Sequence, residues 1–333
     1  MKKVDKVIWG VIGAGNVCEI KSMPAMYSIP GSAVKTVMRR NAAKVADFAR
    51  RHTIPNWTTD LDDVLNDSDI NAIYIATPPD SHPELTIKAA QAGKAVYVEK
   101  PMANSYAECL AMIEACEKAG VPLFVAYYRR VLPGFVKVKE LIDTGVLGDI
   151  RLVNIEMYQA LQPELIARSE TNWRVQPEIS GGGYFQDLAS HQLDYLDFLF
   201  GDIVDAMGIY RNQAHLYSAD DIVTANFRFK NGVVGSGVWC FSTDIVSEKD
   251  KITIVGSKGE LSFNTFGNPM VIRLKSAGNI EDELEFNHVQ PIQKPLIQKI
   301  VNELRSDDVS PSTGITAART TRVMDMICSK IRK

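Results

Sequence analysis

Val7-Ile8-Trp9-Gly10-Val11-Ile12-Gly13-Ala14-Gly15-Asn16-Val17-Cys18 is the stretch whose reading decides the fold. An apolar, β-rich run flows into two glycines that satisfy the opening of G-x-G-x-x-G. In that fingerprint the first glycine, Gly13, makes the tight turn. The second, Gly15, lets a pyrophosphate approach backbone N–H groups where the following helix begins, at Asn16 and Val17. Cys18 stands at the third position, where a side chain is expected to loosen helix-to-strand packing slightly. A glycine pair is a weak signal by itself; the strand before it and the helix after it supply the context that gives it meaning.

That context continues along the first half of the chain. β-rich runs at Val7 to Ile12, Ala33 to Met38, Asn71 to Ala76, Ala95 to Val98 and Pro122 to Ala126 alternate with helical stretches at Ala42 to His52, Ser81 to Ala92 and Ser105 to Ala119. This rhythm predicts βαβ units and a doubly wound parallel sheet. Gly93 and Gly120 stand where helix-ending left-handed residues are expected. An acidic residue is expected about 20 positions after the glycines to hold the ribose hydroxyls of NAD. Met38-Arg39-Arg40-Asn41 stands there instead. Arg39 and Arg40 either grip a 2′-phosphate or form a solvated helix entry; the first reading predicts NADP(H) in preference to NAD(H), with NAD(H) still accommodated.

Two further stretches belong to the same carboxyl edge. Ala76-Thr77-Pro78-Pro79-Asp80-Ser81-His82 must turn there because its prolines continue neither strand nor helix. Ala76, Thr77, Pro78 and His82 are expected against the cofactor, with an unliganded helix-start histidine as the plain alternative for His82. Tyr97-Val98-Glu99-Lys100-Pro101 places a cation at the end of an apolar strand, at the crevice where open α/β sheets bind ligands; burial there would lower the lysine pKa toward acid/base range.

After about residue 127 the rhythm changes to longer strands: Arg151 to Gln159, Ile222 to Lys230, Val233 to Phe241, Lys251 to Val255 and Met270 to Leu274. Asn231-Gly232 is a hairpin signal and Lys258-Gly259 a second turn. Helices are expected at Val131 to Thr144, Gln186 to Phe200, Pro295 to Arg305 and Thr313 to Ile331. The expectation is an α/β chain of two domains: residues 1–126 a Rossmann domain, and 127–333 an α/β domain with an open, largely antiparallel sheet. A free sheet face predicts a homodimer or homotetramer. Gly181-Gly182-Gly183 gives a flexible lead into Asp187, His191 and Asp194, which share one face of a regular helix. An Asp/His pair on one face binds a hydroxyl, passes a proton or ligates a metal; no second cluster offers a third metal ligand, and a surface ion pair is the plain alternative.

With 333 residues the chain exceeds one ordinary core, and 46% apolar with 23% charged residues is average for globular proteins. A net charge of −3 leaves no nucleic-acid footprint. Apolar runs fall short of a membrane span, and Met1 to Lys6 leads straight into a strand without a signal segment, so a cytoplasmic location is expected. Cys18, Cys109, Cys116, Cys240 and Cys328 are scattered and read as reduced thiols, mostly in the core.

Gly13-Ala14-Gly15-Asn16, Ala76-Thr77-Pro78-Pro79 with His82, Glu99-Lys100-Pro101, Tyr128-Arg129-Arg130, Trp173-Arg174, and the three glycines followed by Asp187, His191 and Asp194 together resemble the Gfo/Idh/MocA family of NAD(P)-dependent oxidoreductases. The resemblance covers nearly the whole chain. It implies a substrate pocket between the nicotinamide and the helix of Asp187 and His191, with hydride moving between the cofactor and a carbinol or carbonyl carbon of a sugar, polyol or related cyclic alcohol. Lys100 would stabilise charge on the reacting oxygen, His191 would exchange its proton, and Asp187 would orient the substrate. Glu99, Lys100 and Arg129 join the cofactor set, and Trp173 and Arg174 the substrate set; Arg129 and Trp173 read equally as packing or surface residues. The loop from Gln159 to Ile179, with Glu164, Arg168 and Glu170, is expected to set specificity. Two rivals keep the fold: a transient-redox lyase or glycosidase that retains its cofactor, and a ligand-sensing regulator without turnover.

Overall fold

A computed structural model of the chain describes residues 2–161, 172–276, 279–306 and 308–329. Six strands, β1 (Val7–Ile12), β2 (Ser32–Met38), β3 (Asn56–Thr58), β4 (Ala72–Ile75), β5 (Ala95–Val98) and β6 (Leu123–Val125), pair in the order β3-β2-β1-β4-β5-β6. Every pairing is parallel. All residues of β4 and β5 are buried, as strands covered by helices on both faces must be. The order reverses between β1 and β4, and ligands of open α/β sheets bind in the crevice beyond the carboxyl ends at such a point.

The helices follow from their ends. Asn41 caps Ala42–Arg51 by accepting from Lys44 N at 2.9 Å, and Ser105 caps Tyr106–Ala119 by accepting from Glu108 N at 3.3 Å. Gly120 ends the second with φ +64°. The helix after the glycine turn contains a π turn over Cys18–Ser22, so the wider turn starts at the residue that replaces the third glycine. Cys18 is fully buried, its Sγ 3.8 Å from Gly13 O.

The chain forms two compact units: Met1–Tyr128 with Val289–Ala318, and Arg129–His288 with Arg319–Lys333. A single cut at 126/127 therefore misses a return, because residues 289–318 pack with the first unit. Leu296, Ile297, Ile300 and Val301 of the helix Lys294–Arg305 are fully buried, and Ser312 Oγ donates to Val125 O at 2.7 Å. Gln293, also fully buried, accepts from Tyr97 OH at 2.7 Å and donates to Glu99 Oε1 at 2.6 Å.

In the second unit, β7 (Ile150–Ala160), β8 (Ile203–Arg211), β9 (Ile222–Phe229), β10 (Val234–Thr243), β11 (Lys249–Gly256), β12 (Gly259–Phe263), β13 (Met270–Ser276) and β14 (Asn279–Phe286) form a sheet in the order β14-β13-β12-β11-β7-β10-β9-β8. Only β7 and β10 run parallel. Burial alternates along β9 and β10, and the exposed apolar residues of this end of the sheet include Met207 at 64% and Ile209 at 70% on β8 and Val234 at 51% on β10. Arg130, 3% exposed, makes a two-pronged bond to Asp194 (Nε–Oδ2 2.8 Å, Nη2–Oδ1 2.7 Å), and Arg319 does the same to Asp197. Among the described residues no helix is long and apolar enough to cross a membrane.

Gln293→Leu removes a donor and an acceptor while leaving Tyr97 OH and Glu99 buried. Chemical denaturation should show the first unit weakened by about 1–3 kcal/mol; an unchanged unfolding midpoint would show that the return segment is held by its apolar contacts alone.

Candidate functional site

The first unit gathers its functional residues on three loops at the carboxyl edge. Gly13 has φ +88°, and a Cβ there would lie 2.7 Å from Thr77 Cγ2 and 2.8 Å from the Ala76 carbonyl carbon, so backbone conformation and the close approach of the loop after β4 both require glycine. Gly15 differs. A Cβ on it would meet only Gly13 O, at 3.7 Å, so the chain's own packing leaves that side of the turn open. That opening beside Asn16 and Val17, which begin the helix, is the room a dinucleotide pyrophosphate needs, and these residues fit the cofactor.

Arg39 follows β2 directly, and its Nη1 donates to Ala14 O at 3.1 Å, which holds the guanidinium against the glycine turn. Arg40 is exposed. In the loop after β4, Ala76 N donates to Ile12 O at 2.8 Å, and Thr77 Oγ1 accepts from Ser81 Oγ at 2.7 Å ahead of the 3₁₀ turn Pro79–Ser81 that follows Pro78.

His82 and Glu99 are placed otherwise than expected. His82 is fully buried: Nε2 lies 2.9 Å from Thr77 O, and Nδ1 lies 3.1 Å from Pro101 O and 3.2 Å from Met102 O. It sits between the loop after β4 and the loop after β5 with both ring nitrogens facing backbone carbonyls, and the neutral ring has one N–H to donate to them. Glu99, 7% exposed, accepts from Tyr74 OH at 2.7 Å and Gln293 Nε2 at 2.6 Å on one oxygen, and from Lys100 N at 3.3 Å on the other. Its carboxyl group therefore serves as an internal anchor. Lys100 itself is half-buried at the end of β5, preceding a cis peptide bond to Pro101.

The second unit holds the other expected residues. Gly181, Gly182 and Gly183 have φ of +80°, +150° and +89°, and Ser180 Oγ accepts from the amides of the last two. The lead is thus a fixed turn. A Cβ on Gly183 would lie 2.5 Å from Ala219 Cβ. A π turn follows over Phe185–Ala189, then a regular helix over Ser190–Phe200, so Asp187 and His191 do not share the regular stripe that four-residue spacing predicts. Asp187 Oδ2 accepts from Arg174 Nε at 3.1 Å, and Arg174 lies over the Trp173 ring at 4.6 Å. His191 is 3% exposed, with its ring 6.0 Å from that of Phe266. Asp194 leaves the stripe altogether: 1% exposed, it is the partner of Arg130. Burial outweighs that guanidinium and lifts its carboxyl to about 6. Arg129 is 4% exposed, donating to Thr265 O at 3.0 Å and stacking on Phe266 at 4.4 Å. It is an interior residue of the second unit. Glu164, Arg168 and Glu170 lie outside the described residues.

Comparison with known proteins agrees with this geometry. Residues 7–127 match the oxidoreductase family with an NAD-binding Rossmann fold, and residues 135–262 match the Gfo/Idh/MocA C-terminal domain. Oxidoreductase P35 of Formosa agariphila is 39% identical over 324 residues, 97% of this chain and 99% of that protein. The chain belongs to the Gfo/Idh/MocA family. Levoglucosan dehydrogenase of Pseudarthrobacter phenanthrenivorans is 29% identical over 77% of this chain and 71% of its own. A solved levoglucosan dehydrogenase in complex with NADH and levoglucosan superposes with a TM-score of 0.81 at 25% identity, covering 97% of this chain and 96% of the other.

This Gfo/Idh/MocA oxidoreductase also has residues around its site that sequence reading did not reach. Gln293 anchors Glu99 from 194 positions away, and Gln192 bridges Trp239 Nε1 (2.7 Å) to Thr265 Oγ1 (3.2 Å) beside His191. Glutamine carries no chemical signature, and only the sheet register brings these partners together.

The buried His82 makes the loop pair acid-sensitive. Burial, the largest cause, lowers its pKa below the ordinary 6.5, so the unfolded chain takes up the proton first as pH falls. Its stabilisation is complete above about 6.5 and is lost as the pH drops toward the depressed folded value. Melting temperatures from pH 8 to 5 should fall more steeply for the parent than for His82→Gln; parallel curves would remove His82 as the acid-labile group.

Proposed function

We propose that this oxidoreductase transfers a hydride between NADP(H), with NAD(H) as the weaker alternative, and a carbinol or carbonyl carbon of a sugar, polyol or related cyclic alcohol. The observation that carries the reading is Lys100, placed by β5 at the carboxyl edge of a parallel sheet beside the switch point, with its backbone anchored on Glu99 and the following loop on His82. When bound, the nicotinamide supplies the hydride exchange. Gly13, Gly15, Asn16 and Val17 hold the pyrophosphate, and Ala76, Thr77 and Pro78 wall the same crevice. Lys100 donates a hydrogen bond to the reacting oxygen and stabilises the charge developing there. His191 exchanges the hydroxyl proton; Asp187, steadied by Arg174, orients the substrate, and Trp173 supports Arg174 from behind.

NADP(H) is favoured by Arg39, which stands where an acidic residue would hold the ribose diol and is pinned to the glycine turn through Ala14 O. A guanidinium there offers a phosphate two parallel donors, and Arg40 adds a second cation. The exposed apolar residues Met207, Ile209 and Val234 on the outward sheet face support self-association into a dimer or tetramer.

Calorimetric titration of cofactor-stripped protein tests the nucleotide assignment. Arg39→Asp should weaken NADPH binding about 10- to 100-fold, as loss of a charge-assisted hydrogen bond implies, and improve NADH binding. Equal affinities in the parent would refute the preference. Lys100→Met should reduce kcat by a factor on the order of 10² with NADPH affinity retained; unaltered turnover would take Lys100 out of the mechanism.

A further inference from the structure

In the second unit the turn between β12 and β13 is closed by Asn264, which accepts from Val271 N at 2.6 Å and donates to Pro269 O at 3.1 Å. Inside the turn Thr265 is fully buried and bonded at each of its polar atoms. Its N–H donates to Asp250 Oδ2 of β11 at 2.8 Å, its carbonyl accepts from Arg129 Nε at 3.0 Å, and its hydroxyl oxygen accepts from Gln192 Nε2 at 3.2 Å. Phe266 N donates to the same Asp250 oxygen at 2.6 Å. Three elements far apart in the chain thus fix two consecutive residues, and the outcome is a half-buried phenyl ring held in one place.

Two groups meet that ring. The Arg129 guanidinium lies over it at 4.4 Å, and the His191 imidazole approaches it with 6.0 Å between centroids and 73° between planes, the edge-to-face arrangement aromatic pairs prefer. The contact matters because a histidine's Cβ–Cγ torsion is broad, not confined to three staggered wells. The helix backbone that places His191 therefore does not decide where its nitrogens point. Gln192, the next residue of the helix, bonds to Thr265, the residue before Phe266. Helix and turn meet through two adjacent pairs, which fixes both the separation and the direction of the imidazole relative to the phenyl ring. A proton-exchanging group gains rate from being held in its productive direction before substrate arrives.

We propose that Phe266 is a positioning residue: fixed by Asp250, Arg129 and Thr265, its ring sets the direction of the His191 imidazole and acts on the reaction through it. The proposal rests on the proton-exchange role given above to His191.

The test uses full-length protein labelled with carbon-13 at histidine Cε1. The chain has five histidines, and the resonance lost in His191→Asn reports this imidazole. Its relaxation should show a ring as rigid as the backbone in the parent and in Phe266→Tyr, and a mobile ring in Phe266→Leu and Phe266→Met, which keep apolar bulk without a flat edge. A cooperative melting transition and retained NADPH affinity establish that the variants are folded. With glucose, xylose, levoglucosan and myo-inositol as probes, Phe266→Leu should lower kcat about tenfold with KM within about twofold, and should raise the solvent deuterium isotope effect on kcat. Phe266→Tyr should restore parental values. A parent-like rigid imidazole in both Phe266→Leu and Phe266→Met, or a raised KM with kcat and isotope effect unchanged, would overturn the positioning role. Full turnover by His191→Asn, with the imidazole still loosened by Phe266→Leu, would take proton exchange away from His191 and keep Phe266 as the residue that orders its ring.

Discussion

A carboxyl group buried at the end of β5 must find its donors inside the protein, and Glu99 finds them in three places at once. Tyr74 lies on the neighbouring strand, opposite Tyr97, and the two rings stack at 4.9 Å. Gln293 arrives on the returning segment, and the third donor is the amide of Lys100. Burial, reinforced by the nearby Glu99, pushes both phenols well above the ordinary tyrosine range, so they remain donors. One side chain thus links the register of β4 on β5, the return of residues 289–318 and the backbone that presents the candidate catalytic lysine.

The first sheet was legible because its signals are local. A strand run, a glycine turn and an amphipathic helix each report themselves within a dozen residues, and their repetition gives a parallel sheet. The strands that escaped reading lack those signals. β3 is three residues long, β8 (Ile-Val-Asp-Ala-Met-Gly-Ile-Tyr-Arg) is broken by glycine, and β14 (Asn-Ile-Glu-Asp-Glu-Leu-Glu-Phe) is rich in acids that are uncommon in strands. These three lie at sheet edges; β12 (Gly-Glu-Leu-Ser-Phe), also unread, is a five-residue interior strand that starts at the Lys258-Gly259 turn. The return segment was unreadable for another reason: a helix records that one face is apolar, and nothing in the sequence says which sheet will cover it.

At the site, residue types were read more reliably than their uses. Lys100, Asp187 and His191 remain the candidates for chemistry, while Glu99, His82 and Arg129, read as cofactor contacts, and Asp194, read on one helix face with Asp187 and His191, make internal contacts. The difference is in the partners. Asp194 meets Arg130, 64 positions earlier, and Arg129 meets Thr265, 136 positions later. Charged residues this deeply buried need compensation, and a neighbouring motif does not reveal whether a ligand or another part of the chain provides it.

The two π turns show where local rules give way to the site. Each lies in the helix that follows a glycine turn, Cys18–Ser22 after Gly13 and Gly15, and Phe185–Ala189 after three glycines of positive φ. A π turn has poorer hydrogen-bond geometry than the α-helix it interrupts and persists where surrounding packing imposes it. In the second unit the imposed element is the turn itself, since Gly183 stands too close to Ala219 to be anything but glycine and Ser180 fixes the amides after it. A helix that starts from so constrained a turn takes up the mismatch in its first residues. Asp187 sits in that stretch, directed to Arg174, while the regular helix beyond it turns Asp194 inward to Arg130. The same irregularity that breaks the predicted stripe therefore separates Asp187, bonded to Arg174, from Asp194, which Arg130 holds in the interior of the unit.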